Sequence, residues 1–208
     1  MKKTNKNKNI KYILFDIDGV LAKATDSADE ILEKNHLNLE EFFANWGDSQ
    51  SVFQFETGKI YQEDFARLRS EELGNIISPA TIIEILKAKK SILFPGVEEL
   101  LEDLLKENYK VGCLSNTNIL HWNSIEGKTI FDNCFCKQFL SYQLGLVKPD
   151  KEIYIHVAET LHCKGHEILY FDDSKKNIET ALELGWNAVY VQDFYDLEEK
   201  IKDCLKMK

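Results

Sequence analysis

Two pairs of aspartates, Asp16 with Asp18 and Asp172 with Asp173, stand at the ends of apolar runs, Ile13 to Phe15 in one case and Ile168 to Phe171 in the other. Two more polar sets are placed alike: Ser115-Asn116-Thr117 follows the run ending at Leu114, and Lys148 lies beyond a shorter apolar stretch. In an open parallel sheet, ligands bind outside the carboxyl ends of the strands, so these residues are expected on one rim. Three or four carboxylates gathered there raise one another's pKa and demand a counter-charge. An all-oxygen, carboxylate-rich set suits a hard ion, and magnesium takes one or two carboxylates, keeps waters and shares a phosphate oxygen. With a carboxylate free to attack phosphorus, the accessible chemistry is phosphoryl transfer through an aspartyl phosphate. Lys148 and the Ser115 and Asn116 donors would then offset charge on the transferring oxygens.

The elements that must hold these residues follow from the pattern around them. Lys11 to Ile17 is too continuously apolar for a half-exposed strand and suits one covered on both faces. Further strands are expected at Lys110 to Ser115, near Gln138 to Ser141, at Ile168 to Asp172 and at Asn187 to Val191. Helices alternate with them near Gly96 to Asn108, Thr117 to Glu126, Asp150 to Leu161, Ser174 to Gly185 and Tyr195 to Met207. That rhythm predicts an α/β fold, a Rossmann-like parallel sheet with helices on both faces. Between about Thr25 and Lys90 the pattern is helical, with four or five short helices and no strand. Helix starts are signalled by Ser27 with Glu30, Asn38 with Glu41, and Ser78 before Pro79, and helix stops by Gly47, Gly58 and Gly74. The chain is therefore read as a core of residues 1–23 and 91–208, interrupted by a helical cap at 24–90.

In order, Phe15-Asp16-Ile17-Asp18-Gly19-Val20, Leu114-Ser115-Asn116-Thr117, Lys148-Pro149 and Phe171-Asp172-Asp173-Ser174 resemble the four motifs of the haloacid dehalogenase superfamily. The insert behind the first motif is similar to that family's helical cap of the first type. Leu114 to Asn118, Leu144-Gly145 before Lys148-Pro149, and Phe171-Asp172-Asp173 look most like the bacterial α-D-glucose-1-phosphate phosphatase branch and the phosphatase domain of epoxide hydrolases. The resemblance implies a magnesium-dependent phosphatase of a small phosphorylated metabolite, expected to be a sugar phosphate. It makes Asp16 nucleophile and metal ligand, and Asp18 the acid/base, whose backbone carbonyl also touches the metal. Ser115 and the Asn116 backbone would grip the phosphate, and Lys148 would bridge phosphate and Asp16. Asp173 would ligate magnesium directly, with Asp172 an outer or water-mediated ligand.

Competing readings are weaker. A receiver domain keeps its acid pair early and its lysine last, whereas here an acid pair follows Lys148. A dehalogenase has no need of an acid/base at Asp18. A sugar phosphomutase uses the same aspartyl phosphate, and a non-catalytic binding or regulatory protein could retain the fold. Ser115-Asn116-Thr117 and Asp172-Asp173 could each be no more than helix N-terminal groups. The aromatic set Phe42, Phe43, Trp46, Phe53, Phe55, Tyr61 and Phe65 reads first as cap core, and Gly58-Lys59 is a further segment that could face the site.

The 208 residues carry a formal charge of −9. Such an acidic surface repels nucleic-acid phosphates, and no basic patch in the body compensates, so no nucleic-acid partner is expected. Five cysteines at irregular spacings suit buried reduced thiols. The Lys/Asn-rich start, Met1 to Asn9, leads into an apolar run too short for a membrane span. These features together predict a cytoplasmic protein.

Overall fold

The computed structural model of the chain describes residues 10–25 and 27–205. The polar start at Met1 to Asn9 and the end of the last expected helix at Met207 lie outside them. Strands run Tyr12–Phe15 (β1), Ala22–Ala24 (β2), Ser91–Leu93 (β3), Lys110–Ser115 (β4), Ile125–Glu126 (β5), Phe135–Leu140 (β6), Ile168–Asp172 (β7) and Asn187–Tyr190 (β8). Five form an all-parallel sheet in the order β6-β4-β1-β7-β8.

The continuity of the apolar runs has a direct cause. Ile13 and Phe15 of β1 pack with Val111, Cys113, Leu169 and Phe171 on one face, while Leu14 packs with Leu114, Ile168 and Tyr170 on the other. Both faces are covered by helices, so alternation with polar residues is lost. Edge strand β6 departs from this, with Cys136 and Lys137 exposed and Phe139 and Leu140 buried. It begins at Phe135, earlier than the expected Gln138, because exposure of its middle residues dilutes the apolar signal. From β1 the chain moves outward to β4 and β6, then returns to the far side of β1 for β7 and β8. The direction of travel reverses at β1, which places the crevice favoured by ligands between the carboxyl ends of β1, β4 and β7.

Between β2 and β3 lie helices Asp29–Lys34 (α1), Leu39–Phe42 (α2), Gln50–Glu56 (α3), Gln62–Glu72 (α4) and Pro79–Ala88 (α5), with a short 3₁₀ turn at Trp46–Asp48. They enclose an apolar cluster of their own, centred on Phe42, Phe55, Phe65, Ile82 and Ile85. Ser78 caps α5 through the Thr81 N–H, with Pro79 in the first helical turn, and Asn38 and Glu41 exchange reciprocal bonds of 3.0 and 2.9 Å. Gly58 and Gly74 have positive φ just past α3 and α4. Two local expectations are corrected. Ser27 does not cap α1: its hydroxyl donates to the Ala88 carbonyl and accepts from the Lys90 N–H, tying the two chain crossings together. Gly47 lies inside the 3₁₀ turn instead of ending a helix.

At those crossings, β2 pairs antiparallel with β3, and β3 pairs with β5, in a small sheet that the sequence reading did not anticipate. Strands of two or three residues are too short to show a period. Helix Val97–Lys106 (α6) then returns the chain to the core, and Ile119–Ser124 (α7) follows β4.

Candidate active site

β1 ends with the Asp16 N–H bonded to the Phe171 carbonyl of β7 at 2.9 Å, which fixes the first aspartate at the tip of the central strand. β7 ends in Asp172, fully buried, and β4 in Ser115, 1 % exposed. Lys148 arrives from the loop after β6, its side chain 1 % exposed. Its Nζ lies 3.0 Å from Asp16 Oδ2 and 2.8 Å from Asp172 Oδ2, and also donates to the Leu114 carbonyl at 2.9 Å and the Tyr170 hydroxyl at 3.1 Å. An ammonium with three protons thus serves four oxygens.

Asp172 is the anchor of this network. Its carboxylate accepts from Lys148, the Tyr170 hydroxyl, the Asn177 amide and the Ser174 N–H. These donors consume the lone pairs that direct metal ligation would require. A plain helix-terminal acid would show only the last of these bonds. Asn116 locks the lysine loop from the other side: its amide donates to the Lys148 carbonyl and its carbonyl accepts the Lys148 N–H, both at 2.8 Å. The side chain is therefore committed, and only its main chain is available to a ligand. Nor are Ser115 to Thr117 a helix cap, because Asn118 performs that task for α7, accepting the N–H groups of Leu120 and His121. The Ser115 hydroxyl makes one long contact, 3.5 Å to the Asn116 carbonyl.

Asp16, Asp172 and Asp173 each bring one carboxylate oxygen within 4.8 Å of the others. Three carboxylates against one ammonium leave an excess of two negative charges, which a divalent cation would cancel, so the donor set fits magnesium. Without that charge, burial pushes the Asp16 carboxyl up to about 8, with Lys148 pulling it down and Asp172 adding to the rise. Asp173 is also raised, by partial burial and by Asp172. Lys148 is held protonated: burial disfavours its charge, but Asp16 and Asp172 overrule that. Gly19, at φ +79°, lets the Asp173 carboxylate lie against the loop; a Cβ there would stand 2.2 Å from Asp173 Oδ2.

Asp18 is turned away from this cluster. Its carboxylate meets His121 Nε2 at 2.6 Å and the Ser91 hydroxyl at 3.1 Å. Burial would raise its pKa, but the His121 and Ser91 bonds and the charges of His121 and Lys89 prevail and hold it below the usual carboxylate range. Its main-chain carbonyl is the atom left for the metal contact that the family resemblance assigns.

Above the three aspartates opens a cavity of about 430 Å³, lined from the core by Asp16, Asp18, Asp173, His121 and residues 116–118. Its other wall comes from the insert: Phe43, Trp46, Glu56, Leu86 and Lys89. The aromatic set therefore divides. Phe42, Phe55 and Phe65 are buried in the insert's own core, Phe53 and Tyr61 are exposed, and Phe43 and Trp46 face the cavity. Gly58 and Lys59 do not line it. Gly58 packs against the Tyr142 carbonyl and Lys59 lies 4.6 Å from the Phe53 ring. His121, Glu56 and Lys89 escaped the sequence reading because nothing local marks them; His121 is 103 positions from Asp18.

This geometry agrees with what the chain resembles as a whole. The family model described as haloacid dehalogenase-like hydrolase matches residues 10–185. D-ribitol-5-phosphate phosphatase of Bacteroides thetaiotaomicron is 30% identical over 204 residues, spanning 92% of this chain and 97% of that one. Phosphorylated carbohydrates phosphatase of Thermotoga maritima is 27% identical over 128 residues, 62% of this chain and 55% of that one. Bifunctional epoxide hydrolase 2 of Sus scrofa is 26% identical across 88% of this chain, which spans only 37% of that longer protein. Among solved structures, a haloacid dehalogenase family enzyme of Bacteroides thetaiotaomicron, crystallised with magnesium and inorganic phosphate, superposes with a TM-score of 0.71 at 29% identity, covering 88% of this chain and 94% of that one. The chain belongs to the haloacid dehalogenase-like hydrolases. Within them it sides with the phosphoric monoester hydrolases, for which the ribitol phosphate and carbohydrate phosphatases are named. No described helix is long and apolar enough to cross a membrane.

Proposed function

We propose that the protein is a magnesium-dependent phosphatase that cleaves small phosphorylated, sugar-like metabolites through a phosphoaspartate at Asp16, with residues 24–90 acting as a cap over the site. The observation that carries this reading is the cluster at the strand tips, where Asp16, Asp172 and Asp173 bring carboxylate oxygens within 4.8 Å of one another and the Lys148 ammonium lies 3.0 Å from Asp16 Oδ2. Asp18, two residues on, meets His121 instead and is left for the acid/base role.

Asp16 and Asp173, with the Asp18 main-chain carbonyl, would hold the ion, and Asp172 would act from behind through Lys148. Bound there, magnesium would neutralise the phosphoryl oxygens and favour the ionised nucleophile. Lys148 holds Asp16 in place and faces the transferring group as a fixed positive charge. The Asp16 oxygen bonds to phosphorus as the ester oxygen departs, and that oxygen leaves with the proton of the Asp18 carboxyl. Asp18, now ionised, draws a proton from a water that attacks the same phosphorus, releasing inorganic phosphate and regenerating Asp16. Asp18 is held ionised in the free protein, so the first step requires it to take up a proton once the anionic phosphate is bound beside it. The ribitol phosphate and carbohydrate phosphate named for two relatives indicate a polyhydroxylated leaving group.

The test is phosphate release from p-nitrophenyl phosphate and from a panel of pentitol and sugar phosphates, with magnesium and with chelator, beside Asp16→Asn. Activity is expected only with magnesium and intact Asp16. Phosphate release that survives either change would overturn the mechanism, and transfer of phosphate to a second sugar in place of its release would point to a mutase.

A further inference from the structure

Glu56 is the last residue of α3 and, among the described residues, the only carboxylate that the insert contributes to the cavity lining. One of its oxygens, Oε1, accepts the Trp46 indole N–H at 3.0 Å. Among the described residues no donor serves the other oxygen. Glu56 is half-buried, and a carboxylate offers about four lone-pair sites, so with a single protein donor it has accepting capacity left for a molecule in the cavity. Burial drives its pKa upward against the Trp46 bond, as expected of a carboxylate short of donors.

Its surroundings are built to keep it there. Trp46 belongs to a segment held by Arg69, which is 2 % exposed; the guanidinium donates to the Phe42 and Ala44 carbonyls at 2.7 and 2.9 Å and lies 5.5 Å from the Trp46 ring. Lys89, the cation on this wall, stands 4.0 Å over the Phe43 ring. Two aromatic faces and one under-supplied acceptor therefore confront the side of the cavity opposite the phosphate-handling groups.

The geometry points to Glu56 as a specificity-determining residue that accepts a hydroxyl of the leaving group, selecting uncharged polyhydroxylated phosphomonoesters and repelling those whose leaving group carries an anion. This inference rests on the phosphatase reading above for which end of the substrate lies where. A hydroxyl is the donor that fits, because it supplies a proton without bringing charge. A carboxylate or second phosphate at that place would meet Glu56 with like charge, while Lys89, the cation on this wall, is engaged with the Phe43 ring.

The test compares Glu56→Gln with the parent protein on two esters of similar size, ribitol 5-phosphate and 3-phosphoglycerate. Glutamine keeps an acceptor for the Trp46 N–H, so the wall stays built while the charge is removed. Exchanging a charge-assisted hydrogen bond for a neutral one is worth about tenfold, so the ratio of kcat/KM for the polyol ester over the carboxylate ester is expected to fall by at least that factor. A ratio within twofold of the parent's would overturn the assignment. A second arm uses no turnover: in the Asp16→Asn background, calorimetric affinity for ribitol 5-phosphate should drop on Glu56→Gln by more than that for phenyl phosphate, which has no hydroxyl to offer. Equal losses for both ligands would reduce Glu56 to a packing role. If the parent hydrolyses neither ester but releases phosphate from p-nitrophenyl phosphate, the phosphatase reading stands and the binding arm decides Glu56; no release from any of the three sinks the phosphatase reading.

Discussion

Lys148→Met removes the one cation, among the described residues, that is bonded to both the buried Asp172 and the partly buried Asp16, and keeps the length of the side chain. Losing one member of a buried ion pair typically costs about 3–5 kcal/mol because its partner is left uncompensated. Here two features pull the cost toward the lower end. Asp16, already raised to about 8, can stay protonated at neutral pH, and Asp172 keeps the Tyr170, Asn177 and Ser174 donors. At about 3 kcal/mol, and with a shift of roughly 2–4 °C per kcal/mol for a chain of this size, melting should fall by about 6–12 °C in chelator. Millimolar magnesium should narrow the gap, because the ion supplies charge to the same cluster, while phosphatase turnover stays lost. Lys148→Met with Asp172→Asn removes the charge on both sides and should regain stability without regaining activity. Differential scanning fluorimetry of the parent and these variants, each with and without magnesium, measures all of this. A Lys148→Met protein melting within 2 °C of the parent in chelator, or a double variant no more stable than the single one, would refute the view of Lys148 as the counter-charge on which the site depends.

Two further outcomes follow from the same cluster. Gly19→Ala forces a side chain into a left-handed φ of +79° and a Cβ to within 2.2 Å of Asp173 Oδ2. The backbone strain should cost about 1–2 kcal/mol, and the displaced carboxylate should weaken magnesium binding by tenfold or more in calorimetric titration; unchanged affinity would mean that Asp173 is no ligand. The second concerns pH. The folded-state pKa of Asp16 lies above its unfolded value, so this group stabilises the ion-free protein fully below the ordinary carboxylate range and loses that contribution as pH rises through about 8. Melting curves in chelator should therefore decline relative to Asp16→Asn between pH 5 and 8, and magnesium should remove the decline; parallel profiles for the two proteins would contradict a raised Asp16.

What the chain reveals before folding, and what it hides, depends on the range of the interactions involved. β1, β4 and β7 could be read because a strand covered on both faces must be apolar at every position, and such a run ending in Asp16, Ser115 or Asp172 advertises its own polar tip. The roles within the cluster could not be ranked in that way. Asp172 and Asp173 are chemically identical neighbours, and only the Tyr170, Asn177 and Lys148 donors around the first separate an anchor from a ligand. Asp18 likewise acquires its ionised state from His121 on α7, a residue with no spacing relation to it. The insert is the extreme case. Phe42 and Phe43 are adjacent and identical, yet one is buried in the insert's core and the other lines the cavity, because α2 ends at Phe42 and the chain turns at Phe43. Glu56 sits on a helix with no acidic pattern around it, and its importance arises only when Arg69, 13 positions on, holds Trp46 against it. The groups proposed to perform the chemistry are thus legible from strand ends, whereas those proposed to choose the substrate are set by packing between helices, which local sequence does not encode.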